Sequence, residues 1–144
     1  MTKGNKISIA QIGVGYWGPN LLRNLIANKE CIVKRVVDVS RERLEFVKGL
    51  YPAIAVSTNP EGVFDDPEID AVVIASNTKT HYALAKSSLE SGKHVFVEKP
   101  LASSKEEALS LVEIADKANK KLMVGHILLY HPAPPNSPHV LRIP

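Results

Sequence analysis

The chain alternates between short runs of β-branched residues and longer segments with helical spacing, from residue 7 to about residue 124. The apolar run at residues 71–75 (AVVIA) is continuous, as in a central strand that is covered on both faces. Strands that alternate with helices are typical of βαβ units, which build a parallel sheet. The alternation therefore predicts an α/β domain with a doubly wound parallel sheet of about six strands and helices on both faces.

The spacing of apolar and capping residues also predicts where each element lies. We expect strands at residues 7–12, 33–39, 54–56, 71–75, 94–97 and 122–124. Helices are expected at residues 18–28, 41–50, 60–64 (with Asn59 as N-cap) and 80–91, and a fifth helix should follow a Ser103–Glu106 capping box. The predicted inward-facing residues of the first two helices are Leu21, Leu22, Leu25, Ile26, Leu44, Val47 and Leu50.

The last fourteen residues break this pattern. Residues 131–144 hold five of the ten prolines and show no periodicity. Proline removes a backbone donor and restricts the residue before it, so a helix or central strand is not expected there. We therefore divide the chain into a domain at residues 1–130 and a proline-rich tail or truncated linker at residues 131–144.

Composition narrows the class of protein. With 44% hydrophobic and 23% charged residues, the chain has the composition of a globular domain. The net charge is only +3 and the basic residues are scattered, so no nucleic-acid partner is expected. No apolar stretch is long enough to span a membrane. Cys31 is the single cysteine and metal-ligand spacings are missing, so we expect a buried thiol, no metal site and a cytoplasmic location.

A glycine-rich loop follows the first predicted strand. Gly13, Gly15 and Gly18 fit GxGxxG, and a predicted helix opens at the last of them. The first glycine permits a tight turn, the second lets a pyrophosphate approach the backbone, and the third allows close helix packing. The helix N-terminus then offers free N–H groups to the phosphates. In this strand–loop–helix context the motif predicts a Rossmann-type dinucleotide site rather than a purely structural turn.

An acidic residue stands about 20 positions beyond the loop, as this motif requires. It is Asp38, at the end of the second predicted strand. Its carboxylate would accept hydrogen bonds from the ribose hydroxyls of NAD and would repel the 2′-phosphate of NADP. Arg41 could neutralise that phosphate, so NADP stays open as the less favoured cofactor. Methyltransferases bind adenosine with a similar loop and acid, and remain an alternative when the motif is taken alone.

A second candidate site follows the fifth predicted strand. Glu98, Lys99 and Pro100 stand at its carboxyl end, where doubly wound sheets place their ligands. Lys99 could donate to a hydroxyl or carbonyl oxygen of a substrate, and burial or nearby positive charge would let it accept a proton. Glu98 could orient its ammonium group. By spacing alone, a solvated Glu–Lys pair is the simpler interpretation.

Several segments together resemble the Gfo/Idh/MocA oxidoreductases. They are GVGYWGPN at residues 13–20, VVDVS at 36–40, NTKTHY at 77–82 and GKHVFVEKPLA at 92–102. The resemblance covers about residues 5–132 and implies the NAD(P)-binding domain of a dehydrogenase. Substrates of the family are sugars, and GYWGPN with GHILLYHP at residues 125–132 looks most like members that act on nucleotide-linked or amino sugars.

The resemblance also implies roles for individual residues. Lys99 would contact substrate near the nicotinamide and assist proton transfer, and Pro100 would shape the loop that presents it. Asn77 and His81 would line the cofactor cleft after the fourth strand. Independently of the resemblance, Tyr16 and Trp17 are unusual in a bare glycine turn and could stack on the cofactor or wall it off, and packing against the helix that follows is an equal alternative.

Family members continue for roughly another domain, which supplies further catalytic residues and the interface of a homo-oligomer. That domain does not follow residue 132 in this sequence. We therefore expect cofactor binding to survive better than turnover. A non-catalytic module that binds NAD stays open as the alternative to a sugar dehydrogenase.

Overall fold

A computed structural model describes residues 6–126, and all structural statements below concern these residues. Six strands and five helices alternate along them. The strands are β1 (Ile7–Ile12), β2 (Cys31–Val37), β3 (Ala55–Ser57), β4 (Ala71–Ile74), β5 (His94–Val97) and β6 (Leu122–Val124). The helices are α1 (Gly18–Ala27), α2 (Arg41–Leu50), α3 (Glu61–Phe64), α4 (Thr78–Glu90) and α5 (Lys105–Ala118).

All six strands form one parallel sheet in the order β3-β2-β1-β4-β5-β6. This is the doubly wound arrangement that the alternating pattern predicts. The chain moves outward from β1 through β2 to β3, then returns to the other side of β1 and continues through β4 to β6. The strand order therefore reverses between β1 and β4, and a crevice for ligands opens at the carboxyl ends of strands on either side of such a point.

Helices cover both faces of the sheet, as predicted. On one face, Leu89 of α4 and Leu111 of α5 are fully buried against Val72, Ile74 and Val97. On the other face, Leu22 of α1 and two residues of α2, Leu44 and Val47, pack with Val33 and Val36 of β2. The central strands therefore contribute apolar side chains to both layers, which explains the unbroken apolar run in β4.

Most predicted boundaries are correct to within two residues, and β5 and β6 match in full. The second strand begins at Cys31 and ends at Val37, two residues earlier than expected, and Cys31 is buried as expected. α4 begins at Thr78 because Asn77 is its N-cap, with a side chain that accepts from Lys79 N–H.

The capping predictions for α5 and α3 need correction. The N-cap of α5 is Ser104, which accepts from the N–H of Glu107, and the Glu107 carboxylate accepts from the N–H of Ser103. The cap thus lies one residue later than predicted, and it is not a reciprocal capping box, because the Glu107 carboxylate bonds the residue before the N-cap. In α3, Asn59 does accept a hydrogen bond from Glu61 N–H, but the helix starts at Glu61, so the N-cap is Pro60 and Asn59 lies one residue before it.

Two predicted inward-facing residues are exposed. Leu50 is 56% exposed and Ile26 is 38% exposed. Both lie in the last turn of a ten-residue helix. Helical spacing assigns a residue to a face of the helix, but it does not show how far along the helix that face is covered by the rest of the fold.

Within residues 6–126, none of the helices is both long and apolar enough to cross a membrane. The predicted cytoplasmic location stays a prediction. The proline-rich tail lies outside the described residues, so the division at residue 130 also stays a prediction.

Two isoleucines on strands give a matched test of this core. Ile74 of β4 is fully buried, whereas Ile32 of β2 is 47% exposed. We expect Ile74→Ala to lower the free energy of unfolding by about 2–5 kcal/mol, because it leaves a cavity between sheet and helices. Ile32→Ala should cost about 1 kcal/mol or less. Urea denaturation measures both, and equal losses would contradict this assignment of the core.

Candidate cofactor and active site

One cleft of about 940 Å³ opens at the carboxyl ends of β1, β2, β4 and β5, at the reversal point of the sheet. Nine of the eleven predicted site residues line it: Gly13, Gly15, Tyr16, Trp17, Asp38, Asn77, His81, Glu98 and Lys99. The other two, Gly18 and Pro100, lie beside the cleft without lining it. The topology thus brings together residues that are up to 86 positions apart, because the carboxyl ends of parallel strands share one edge of the sheet.

Gly13 makes a turn that only glycine adopts readily. Its φ is +97°, and a Cβ there would lie 2.5 Å from the carbonyl carbon and oxygen of Ala75. A Cβ on Gly18 would lie 2.5 Å from the Gly13 carbonyl oxygen. The first and third glycines are therefore required by contacts inside the protein.

Gly15 differs from its two neighbours in the motif. A Cβ on Gly15 would meet only the Arg43 side chain, at the ordinary contact distance of 3.5 Å. Nothing inside the described structure explains a glycine here. A bare Cα that faces the cleft is what close approach of a ligand to the backbone requires.

Gln11 is a site residue that the sequence analysis missed. Its side chain is fully buried in β1, and its Nε2 donates to the carbonyl oxygens of Gly13 (2.9 Å) and Gly18 (2.8 Å). The amide thus ties the two ends of the glycine loop to each other. A glutamine inside an otherwise apolar strand, two residues before the loop, was the available signal, since buried polar groups are retained when they make specific bonds.

Asp38 is held rigidly at the edge of the cleft. Its side chain is only 5% exposed, Oδ2 accepts from Val14 N–H (2.8 Å), and Oδ1 accepts from Ser40 N–H (2.9 Å). Each carboxylate oxygen can accept a further bond. The acid therefore braces the glycine loop while it keeps acceptor capacity toward the cleft.

The cation beside Asp38 is Arg43, not Arg41. Arg43 Nη1 lies 3.7 Å from Asp38 Oδ1, and the side chain lines the cleft while it remains 54% exposed. Arg41 is exposed and does not line the cleft. The reason is helical geometry: both arginines are in the first turn of α2, but only the second points back across Gly15.

The segment that follows β4 contributes Ser76 and Asn77, and α4 contributes His81. Asn77 lines the cleft as the N-cap of α4. His81 is 1% exposed, and its ring nitrogens contact two backbone carbonyls: Nδ1 lies 2.7 Å from Pro100 O and Nε2 lies 3.1 Å from Ser76 O. Both nitrogens are therefore occupied by the protein itself.

Glu98 and Lys99 line the cleft after β5, and Lys99 is exposed. The Glu98 carboxylate accepts from Lys99 N–H at 3.3 Å and lies close to Gly125, where a Cβ would be 3.0 Å from both oxygens. The predicted Glu98–Lys99 ion pair is not formed within 4.0 Å. The peptide bond between Lys99 and Pro100 is cis.

Tyr16 and Trp17 form the outer wall of the glycine loop. Tyr16 is 98% exposed and Trp17 is 44% exposed, and both line the cleft. Trp17 also precedes the first residue of α1. Tyr16 is therefore not a packing residue of the described structure.

The comparison with known families decides the assignment. The family profile described as an oxidoreductase family with an NAD-binding Rossmann fold, Gfo/Idh/MocA, matches residues 7–126. The chain belongs to the Gfo/Idh/MocA oxidoreductase family. The family resemblance inferred from the sequence motifs is thereby confirmed.

Relatives in this family include dehydrogenases of polyols and sugars. The chain is 35% identical over 122 residues to the oxidoreductase YdgJ of Escherichia coli, covering 85% of this chain and 35% of the relative. It is 32% identical to a myo-inositol 2-dehydrogenase of Thermotoga maritima (81% and 35% covered). It is 31% identical to a UDP-N-acetylglucosamine 3-dehydrogenase of Acidithiobacillus ferrooxidans (85% and 37% covered).

Solved structures of Gfo/Idh/MocA-like folds superpose on the same region. An NAD-binding protein from Listeria innocua gives a TM-score of 0.80 at 30% identity, covering 87% of this chain and 36% of that one. A biliverdin reductase from Synechocystis, solved with biliverdin and NADP⁺, gives 0.81 at 26% identity, covering 86% and 39%. The chain therefore spans little more than a third of the length of the proteins it matches.

The residues of the cleft fit the NAD(P) that this family binds. Gly15 leaves the backbone open where a pyrophosphate would approach, and the N-terminus of α1 lies directly behind the loop. Asp38 retains acceptors for ribose hydroxyls. Gly13, Gly15 and Asp38 would hold the adenosine and phosphate groups, and Asn77 and Lys99 lie farther along the same cleft, where the nicotinamide would be bound.

Substituting glycines tests the loop geometry without any ligand. Gly13→Ala should lower the free energy of unfolding by about 2–5 kcal/mol, because it combines an unfavourable φ with overlap against Ala75. Gly49→Ala is the matched control, since a Cβ there would meet nothing within 4 Å and alanine has a higher helix propensity than glycine in the last turn of α2. It should stabilise the chain by about 0.5–1 kcal/mol. If urea unfolding shows the same free energy of unfolding for Gly13→Ala as for the unaltered chain, residue 13 does not adopt this turn.

Proposed function

We propose that the chain is the cofactor-binding part of an NAD-dependent dehydrogenase that transfers a hydride between the nicotinamide and a sugar or nucleotide-sugar hydroxyl or carbonyl group. The observation that carries this proposal is one continuous cleft that contains the glycine loop and Asp38 at one end and Lys99 at the other. The relatives named as inositol and UDP-N-acetylglucosamine dehydrogenases support the substrate class.

Asp38 favours NAD over NADP. Two backbone N–H groups fix its carboxylate in the cleft, so it cannot swing away from a 2′-phosphate without losing both bonds. Like-charge repulsion at this site would therefore weaken NADP. Arg43 offsets part of that repulsion, because its guanidinium lies 3.7 Å from the same carboxylate. We expect NAD to bind more tightly, with measurable NADP binding that depends on Arg43.

Lys99 is the proposed catalytic residue. When bound, the nicotinamide supplies or accepts the hydride. Lys99 is exposed at the cleft, so its ammonium group can donate a hydrogen bond to a substrate oxygen. Oxidation of a hydroxyl group also releases the proton on that oxygen, and Lys99 can accept it only as the neutral amine, after giving its own proton to solvent. During reduction it would return a proton to the carbonyl oxygen.

Tyr16 and Trp17 are proposed to wall the cleft on its open side. Their exposed rings lie on the cleft surface and could cover a cofactor or pack on an apolar face of a sugar. Selection of the sugar, assembly into a homo-oligomer and full turnover are proposed properties of a longer protein of this family, since the chain spans only 35–37% of these relatives.

Titration with NAD and NADP tests the cofactor assignment directly. Asp38→Ala should weaken NAD binding about 10- to 100-fold, because charge-assisted hydrogen bonds to the ribose are lost. Lys99→Ala should keep most of the NAD affinity, since Lys99 is proposed to act on substrate. Isothermal titration calorimetry measures both, with Asp116→Ala as control, because Asp116 is an exposed aspartate of α5 that does not line the cleft.

In the same titration, Arg43→Ala should lower NADP affinity more than NAD affinity, and Arg41→Ala should change neither. Circular dichroism spectra must show that each variant is folded. Failure of the unaltered chain to bind either dinucleotide, or tighter binding of S-adenosylmethionine, would refute the proposed function.

A further inference from the structure

We infer that His81 is a positioning residue that carries protons on both ring nitrogens and so ties the segment with Lys99 to the loop after β4. The role of Lys99 in this inference rests on the proposed function, but the state of the His81 ring does not. The observation behind it is that one fully buried imidazole contacts two backbone carbonyl oxygens.

Both ring nitrogens of His81 face a hydrogen-bond acceptor. Pro100 O lies 2.7 Å from Nδ1 and Ser76 O lies 3.1 Å from Nε2. A carbonyl oxygen can only accept, and a neutral imidazole has only one N–H group. Either neutral tautomer would therefore direct a nitrogen lone pair at a carbonyl oxygen inside the protein. Only the doubly protonated ring makes both hydrogen bonds.

Burial of a charge opposes this state, but the site compensates it. A buried charge is costly unless it is paired and hydrogen-bonded, and hydrogen bonds to a charged donor are about twice as strong as neutral ones. Both N–H groups of His81 have a carbonyl acceptor, and Glu98, an acidic residue, lines the same cleft. Lys99 is positively charged and would disfavour a positive charge on the His81 ring. Because Lys99 is exposed, water screens its charge.

The hydrogen bond from His81 is a main anchor of the segment that presents Lys99. Within residues 6–126, the Lys99–Pro100 pair makes two hydrogen bonds: the 3.3 Å contact of Lys99 N–H with its own neighbour Glu98, and the 2.7 Å contact of Pro100 O with His81. The second is the shorter, and it alone reaches a different element of the fold.

The other nitrogen of His81 anchors the cofactor side of the cleft. Ser76 and Asn77 form the loop between β4 and α4, and both line the cleft. One ring thus sets the distance between the loop that would face the nicotinamide and the loop that carries Lys99. This relation is what hydride transfer needs, because small misplacement of reacting groups costs rate steeply.

A long-range ¹H–¹⁵N spectrum of the imidazoles in the ligand-free chain tests the inference. For His81 we expect the ¹⁵N pattern of a ring protonated at both nitrogens, with both N–H protons slow to exchange. His94 is the control in the same sample, because its Nδ1 accepts the Lys121 N–H at 3.0 Å and so cannot carry a proton. It should show the neutral form protonated at Nε2. A neutral tautomer at His81 would overturn the inference.

A variant adds a test of the positioning role. His81→Phe keeps a ring of similar size without donors, and should speed exchange of the hydrogen-bonded amides next to the two segments, Ala75 and Glu98, about tenfold or more while the centre of the sheet stays protected. His94→Phe should leave these two amides unchanged. Unchanged exchange at both amides in folded His81→Phe would contradict the anchoring role. If His81→Phe fails to fold, the spectrum of the unaltered chain still decides. Both experiments use the ligand-free chain, so a failure to bind dinucleotide would refute the proposed function without deciding the state of the His81 ring.

Discussion

The close contact between Gly13 and Ala75 sets the geometry of this domain. At the carboxyl ends of β1 and β4 the two backbones approach so closely that no side chain fits between them. These are the two strands at which the sheet order reverses, so the contact lies at the base of the cleft. Gln11 then fixes the loop from below and Asp38 braces it from the side through Val14 N–H. A rigid loop holds its N–H groups in place before any ligand arrives, which lowers the entropic cost of binding.

The sequence predicted the architecture well because the architecture follows from periodicity. Apolar runs and helical spacings are local, and they identified every strand and helix to within a few residues. The glycine loop and Asp38 were equally predictable, because the motif spacing identifies them, although only Gly13 and Gly18 are required by contacts inside the protein. The exposed ends of α1 and α2 were not predictable, because Ile26 and Leu50 have the spacing of the buried face and only the tertiary structure shows that they stay exposed.

The parts of the site that escaped prediction depend on side-chain direction and on long-range contacts. Arg43 rather than Arg41 lies beside Asp38, and sequence distance from the acid could not decide between them. His81 was expected at the cofactor cleft, and it does line the cleft, but both ring nitrogens contact the backbone. No local pattern could reveal the contact between His81 Nδ1 and Pro100 O, because that contact depends on how α4 packs beside β5.

The central claim is that a dinucleotide occupies the cleft at the carboxyl ends of β1, β2, β4 and β5. Amide chemical shifts of the ¹⁵N-labelled chain, followed during addition of NAD, test it most directly. If NAD binds in this cleft, we expect the perturbed amides to cluster in residues 13–18, 38–40, 76–78 and 98–99. Perturbations centred instead on the groove between α1 and α2, near Arg23 and Phe46, would contradict it. So would an unchanged spectrum at saturating NAD.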